Sequence, residues 1–259
     1  MKKRKQRGLC LLLGAALLLA GCNAAASPGK GKGALKVGVR DDIMGFGYFN
    51  TTTEEYYGLE IDLARLLAAD LGYADVEFTT VTPDDRKEML QNGTVDCLIA
   101  TYSIEDSRTK NFDFSPAYYS DRTSIMVEQS SLIDSLDGLV GRTTGVLKGA
   151  DTAPKLSAKM MELGLISEKD LKGSSLEYFD TYQDLSTALE TGEVDAVCMD
   201  GGVARAWMKE DRMILDDTVG TELYGVATQK DSPLSAPVAK SIQTMLDDKT
   251  IDTLIDKWD

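Results

Sequence analysis

The stretch "TPDDRKEMLQNGTVDCLIAT" spans residues 82–101, and "TYQDLSTALETGEVDAVCMD" spans residues 181–200. Set side by side at an offset of 99 residues, they share Thr82/Thr181, Asp85/Asp184, Leu90/Leu189, Gly93/Gly192, Val95/Val194 and Asp96/Asp195. In each, an amphipathic helical pattern ends at a glycine and a short apolar run follows. Chance supplies some identities, but here the register of helix, glycine turn and strand also persists throughout. The economical reading is two lobes built on one plan. Their matching strands end at Thr101 and Asp200.

Working outward, each half opens on a strand-like run, "ALKVGVR" (34–40) and "GRTTGVLKG" (141–149). A helical pattern follows each. "GLEIDLARLLAADLG" (58–72) places Leu59, Leu63, Leu66, Leu67 and Leu71 on one face, and "ADTAPKLSAKMMELG" (150–164) is a weaker version. Strands alternating with helices at this spacing predict βαβ units, so each lobe is expected to be a largely parallel sheet flanked by helices. Open parallel sheets bind ligands beyond the carboxyl ends of their strands. Two facing lobes then form a cleft with Thr101 on one side and Asp200 on the other. "ATYSIEDSRTKNFDFSPAYYSD" (100–121) adds Ser103 and Arg108 at that address. Hydroxyls and one guanidinium suit a small carboxylate, and they suit a solvated turn equally well.

The N-terminus is set apart from fold reasoning. "MKKRKQR" is basic and the apolar stretch 8–21 is shorter than the about 20 residues that a spanning helix needs. The run ends in "LLLAGC", which resembles the bacterial lipoprotein box. That resemblance implies cleavage before Cys22 and diacylglyceryl attachment to its sulfur; the alternative is an ordinary secretory signal in which Cys22 is incidental. Residues 23–33, "NAAASPGKGKG", have the composition of a flexible tether. Nothing after Cys22 is apolar and long enough to span a membrane.

The chain has 28 basic and 42 acidic residues and no histidine. Without the basic signal its net charge falls to about −19, which makes nucleic acid and anionic headgroups poor partners. Ser-His-Asp triads, histidine metal sites and histidine general bases are excluded. Cys97 and Cys198 sit inside apolar strand patterns, where each reads as a small core residue and no disulfide is expected.

From about Leu35 to Trp258 the chain resembles the polar amino-acid branch of the bacterial extracellular solute-binding proteins, family 3. The segments that carry the resemblance are "GVRDDIMGFGYFN", "GLEIDLARLLA", "NGTVDCLIATYSIEDSRTKNFDFSPAYY" and "GEVDAVCMD". It implies a two-lobed type II periplasmic-binding-protein fold with two hinge crossovers, "DRTSIMV" (121–127) and "ELYGVAT" (222–228). Residues 1–21 would be the signal, 22–33 the lipidated cysteine and tether, 34–120 plus 226–259 the first lobe, and 121–225 the second. It also implies a monomer on the outer face of the cell membrane or in a periplasm, delivering an amino acid to the permease subunits of an ABC importer. No cofactor, metal or catalysis is implied. An enzyme such as a dehydratase on the same scaffold, and a sensor lipoprotein, are the competing readings.

Residue by residue, the resemblance assigns Arg108 to the ligand α-carboxylate, where a guanidinium fork fits bidentately. The alternative pairs Arg108 with Asp106 or Asp113. Thr101, Ser103 and Thr152 would complete that carboxylate shell, unless they serve local capping. Asp200 would accept the α-ammonium, or be a turn aspartate before Gly201. Arg40 and Arg86 fall where glutamate- and aspartate-binding members carry basic residues for a side-chain carboxylate; otherwise they pair with Asp41, Asp42, Asp84 or Asp85. Tyr182 matches a contact from the second lobe, and Phe46 packs on ligand methylenes or anchors its loop. Glutamate or aspartate is therefore the expected ligand, with glutamine, cystine or a basic amino acid as alternatives. Asp151 departs from the usual Ser or Thr: it caps the helix beginning at 152, pairs with Lys148, or meets a positive group on the ligand.

Overall fold

The computed structural model describes residues 32–167 and 175–258. The signal, Cys22 and the tether up to residue 31 lie outside them. Alternating burial in "KGALKVGV" builds β1 (Lys32–Val39), with Leu35, Val37 and Val39 inside. An antiparallel meander follows, β2 (Asp42–Ile43), β3 (Gly47–Asn50) and β4 (Glu55–Tyr57). Strands this short carry too little periodicity to announce themselves. In α1 (Leu59–Asp70), Leu59, Leu63 and Leu67 form an i, i+4 stripe that is buried, while Leu66 lies off it and is exposed. β5 (Tyr73–Thr80) runs parallel to β1 and registers Tyr73 with Lys32, so β1 begins two residues before the expected start at 34.

The first lobe continues with α2 (Arg86–Gln91), β6 (Cys97–Leu98), α3 (Asp106–Thr109) and β7 (Phe112–Phe114). The long β8 (Tyr119–Glu128) crosses into a second sheet. That sheet follows with β9 (Thr143–Leu147), α4 (Thr152–Glu162), β10 (Ser175–Phe179), α5 (Tyr182–Thr191), β11 (Ala196–Asp200), α6 (Gly201–Ala206), β12 (Arg212–Ile214) and β13 (Gly220–Tyr224). The chain returns through β14 (Ala227–Gln229), α7 (Ser235–Asp247) and α8 (Thr250–Trp258).

The strand orders are β5-β1-β6-β14-β7 and β10-β9-β11-β8-β12, with β13 on β8. Strands joined through helices are parallel: β1 with β5 and β6, β9 with β10 and β11. The crossing strands are antiparallel, β8 to β11, β12 and β13, and β14 to β6 and β7. Each of these two sheets thus combines its parallel β–α–β strands with antiparallel ones, because a segment passing between lobes enters from the opposite direction.

The shared residues of the two quoted stretches have the same tasks in both lobes. Thr82 and Asp85 exchange hydrogen bonds ahead of α2, and Asp184 N–H donates to Thr181 Oγ1 ahead of α5. Gly93 and Gly192 take left-handed φ values of 78° and 73° where those helices end. The Asp96 carboxylate accepts from Lys36 N–H at 2.9 Å, and Asp195 accepts from Thr143 N–H at 2.8 Å, tying each following strand to its neighbour. One apolar cluster includes Leu35 and Val37 of the first sheet and Leu185 and Met199 of the second lobe, together with Phe46, Tyr118, Tyr182 and Tyr224. Among the described residues no helix is long and apolar enough to cross a membrane, and Cys97 and Cys198 are free and buried.

Candidate ligand-binding cleft

Several contacts close the seam between the lobes. Phe46 meets Gly202 at the start of α6, where a Cβ would stand 2.7 Å from the ring. Gly149, between β9 and α4, approaches the Pro83 carbonyl so closely that a Cβ would stand 2.5 Å from its oxygen. Arg108 and Asp151 form an ion pair across the seam at 3.3 Å, and Lys155 of α4 reaches Glu105 at 2.6 Å. A groove of about 700 Å³ follows the seam outside this contact zone, from Arg40, Tyr48 and Phe49 to Thr181 and Trp207.

Two guanidinia meet at the Tyr102 ring. Arg108, in α3, donates from Nη1 to the Ser103 carbonyl at 2.8 Å, and Arg86, opening α2, donates to the Ala100 carbonyl at 2.8 Å. Their Cζ atoms lie 4.5 and 4.4 Å from the centroid of the Tyr102 ring, hence at most about 9 Å apart. Both arginines are buried, and among the described residues no carboxylate lies within ion-pairing distance of Arg86, whose Nε has no partner. Burial, followed by the repulsion of Arg108 and Arg40, lowers the Arg86 pKa to about 10. The suggested pairings of Arg108 with Asp113, and of Arg86 with Asp85, are not formed: Asp113 pairs with Lys230, and Asp85 accepts from Thr82 N–H.

Arg40 does take the local partner. It grips Asp42 with three contacts of 2.7–3.0 Å and stands over the Tyr182 ring at 5.4 Å. Thr101 is left-handed, with φ 44°, which is rare for a β-branched residue. Its N–H donates to Glu60 Oε1 at 2.6 Å, and its hydroxyl donates to the Ala100 carbonyl. Glu60 also accepts from the Tyr118 hydroxyl at 2.5 Å, while its Oε2 is buried without a partner. Burial raises the Glu60 pKa to about 7 against the lowering by those hydrogen bonds and by Arg40 and Arg86.

Asp200, at the end of β11, accepts from the Tyr224 hydroxyl at 2.7 Å. Burial first, then repulsion by Glu222 and Asp151, raises its pKa to about 8. The neighbouring Asp121 accepts from Gly202 N–H at 2.7 Å. Phe46 stands edge-on to Tyr119 and Tyr224, and Thr152 Oγ1 is buried without a partner, so it does not cap α4.

Asp151 follows neither local alternative. Its side chain makes no capping bond to α4, and Lys148 pairs with Asp180 instead. Asp151 is shared between Arg108 and Lys155. Burial would raise its pKa, but those two cations hold it down at about 2.

Arg40, Phe46, Arg86, Thr101, Ser103, Arg108, Thr152, Tyr182 and Asp200 are all buried, with Arg40 over the Tyr182 ring and Arg86 and Arg108 both beside Tyr102. Sequence reasoning missed Glu60, Tyr224 and Lys155. Glu60 resembles an ordinary acidic residue in a helical first turn, and its one signal is its place between Leu59 and Ile61.

A two-lobed α/β molecule with polar groups converging from both sides of a seam is a type II periplasmic-binding fold. The family model for the bacterial extracellular solute-binding proteins, family 3, matches residues 35–259, and the chain belongs to that family. It is 30% identical to the ABC transporter glutamine-binding protein GlnH of Bacillus subtilis (strain 168), covering 94% of this chain and 93% of that one. It is 32% identical to the glutamine-binding protein of Geobacillus stearothermophilus, covering 78% and 75%. Among solved structures, an ancestral arginine-binding protein bound to arginine superposes with a TM-score of 0.76 at 30% identity, covering 88% of this chain and 98% of that one.

Proposed function

We propose that the chain is the lipid-anchored, extracytoplasmic substrate-binding protein of an amino-acid ABC importer, and that its cleft takes an acidic amino acid. The ligand α-carboxylate docks on Arg108 beside Thr101, Ser103 and Thr152, and its ammonium on Asp200. Residues 34–120 with 226–259, and 121–225, act as lobes closing on it, and Cys22 carries the anchor.

The observation that carries the acidic preference is Arg86: a buried guanidinium that, among the described residues, has one carbonyl partner and no carboxylate, with Arg108 within about 9 Å. A side-chain carboxylate gives Arg86 the ion-pair partner it lacks, and a cationic side chain adds to the repulsion from Arg108 and Arg40. Arg40, held by Asp42, stands over Tyr182 rather than offering a free fork. Glutamine is the second reading, since two relatives carry it in their names and a carboxamide oxygen also accepts from a guanidinium.

Calorimetric titration decides between them. Arg108→Ala should lose roughly 2–5 kcal/mol with every amino acid, the cost of truncating one side of a desolvated charge pair. Arg86→Gln should weaken glutamate and aspartate far more than their amides. Tighter wild-type binding of glutamine or arginine than of both acids would sink the acidic reading alone. For the anchor, Cys22→Ser should abolish lipid labelling; retained label would reject it.

A further inference from the structure

Asp151 stands where the proposed ligand would place its own carboxylate. Nη1 of Arg108 is committed to the Ser103 carbonyl within the same lobe, while Nη2 faces the seam and meets Asp151 Oδ1. That contact, at 3.3 Å, is longer than the roughly 2.7–2.9 Å usual for charge-assisted bonds. On its other side Asp151 Oδ2 lies 2.8 Å from Lys155 Nζ. The ammonium is fixed independently, by Glu105 at 2.6 Å and by the fully buried Glu222 at 2.7 Å, and Glu222 in turn accepts from Thr123 of β8. Asp151 therefore holds Arg108 through one long hydrogen bond on the ligand side, while its Oδ2 is without a hydrogen bond and lies in ion-pair contact with the ammonium behind it.

We propose that Asp151 is a built-in competitor for the ligand: an incoming α-carboxylate displaces it from Arg108, and it falls back on Lys155. The proposal rests on the reading that Arg108 receives that carboxylate. Two carboxylates on one buried guanidinium repel each other, so the exchange has to be one for one. It is feasible because Asp151 leaves Arg108 without becoming an unpaired buried charge. It acts on a group common to all amino acids, so it sets the affinity of the cleft without selecting among side chains. A site occupied by its own competitor for about nine-tenths of the time binds about tenfold more weakly than the free site. Lys155 is a positioning residue here: it gives the displaced carboxylate somewhere to go.

The test is calorimetric titration of wild type, Asp151→Ala and Asp151→Ser with glutamate, aspartate, glutamine and asparagine. Both variants should bind every ligand that wild type binds more tightly, by a similar factor of about ten. A residue that merely supported the cleft would weaken binding on removal. Unchanged or weaker binding in Asp151→Ala overturns the proposal while leaving the amino-acid site intact. Tightening confined to Asp151→Ser also overturns it, since the new hydroxyl then explains the gain. A wild type that binds no amino acid sinks the functional reading, and this inference with it.

Discussion

Folding carries the Glu60 carboxyl from water into a site where one oxygen takes two hydrogen bonds and the other takes none. Its pKa rises from an ordinary 4.5 to about 7. Between those values the folded chain keeps a proton that the unfolded chain has lost. The stabilising contribution is thus full below about 4.5 and is lost as the pH rises through about 7. Its size is at most about 3 kcal/mol by linkage. Glu60→Gln cannot titrate there, so urea unfolding should show wild type losing up to that much stability relative to the variant between pH 4.5 and 7.5. A difference that does not change with pH would reject this assignment. That Asp200 closes a strand was legible in the repeat, and β11 ends there. Glu60 was not, because what makes it unusual is the lid of Thr101 and Tyr118 brought from 41 and 58 residues away.

At the scale of elements, the helix–glycine–strand unit was legible because its repeated polar and glycine residues do local work: a cap, a left-handed turn, a carboxylate receiving a neighbour's N–H. The antiparallel return of β8, β13 and β14 was not, since strand direction depends on which lobe the chain enters next. Tertiary demand also governs the loop between β9 and α4. Gly149 has φ 71° and lies against the Pro83 carbonyl of the other lobe. Gly149→Ala would add left-handed strain, about 1 kcal/mol, and a methyl group in a contact with no space for it. The lobes should then close less completely. We expect ligand affinity to fall about tenfold or more, with a larger radius of gyration in the presence of saturating ligand by small-angle scattering. Affinity and scattering like those of wild type would show that this contact does not limit closure.

For the whole molecule, the two-lobed α/β plan followed from one internal repeat, whereas the joining of the lobes through shared aromatic side chains did not. Phe46, Tyr118, Tyr182 and Tyr224 belong to one apolar cluster that reaches from Leu35 and Val37 to Leu185 and Met199. Two lobes with separate interiors would melt independently. Here neither interior can come apart without exposing part of the other. The protein should therefore absorb heat in one cooperative peak, with calorimetric and van't Hoff enthalpies in agreement. A bound amino acid at a hundred times its dissociation constant should shift that whole peak upward, by about 2.7 kcal/mol of added stability. Two peaks, only one of which responds to ligand, would mean that the aromatic bridge does not couple the lobes. A single peak would make melting temperature a direct gauge of occupancy for any solute offered to the cleft.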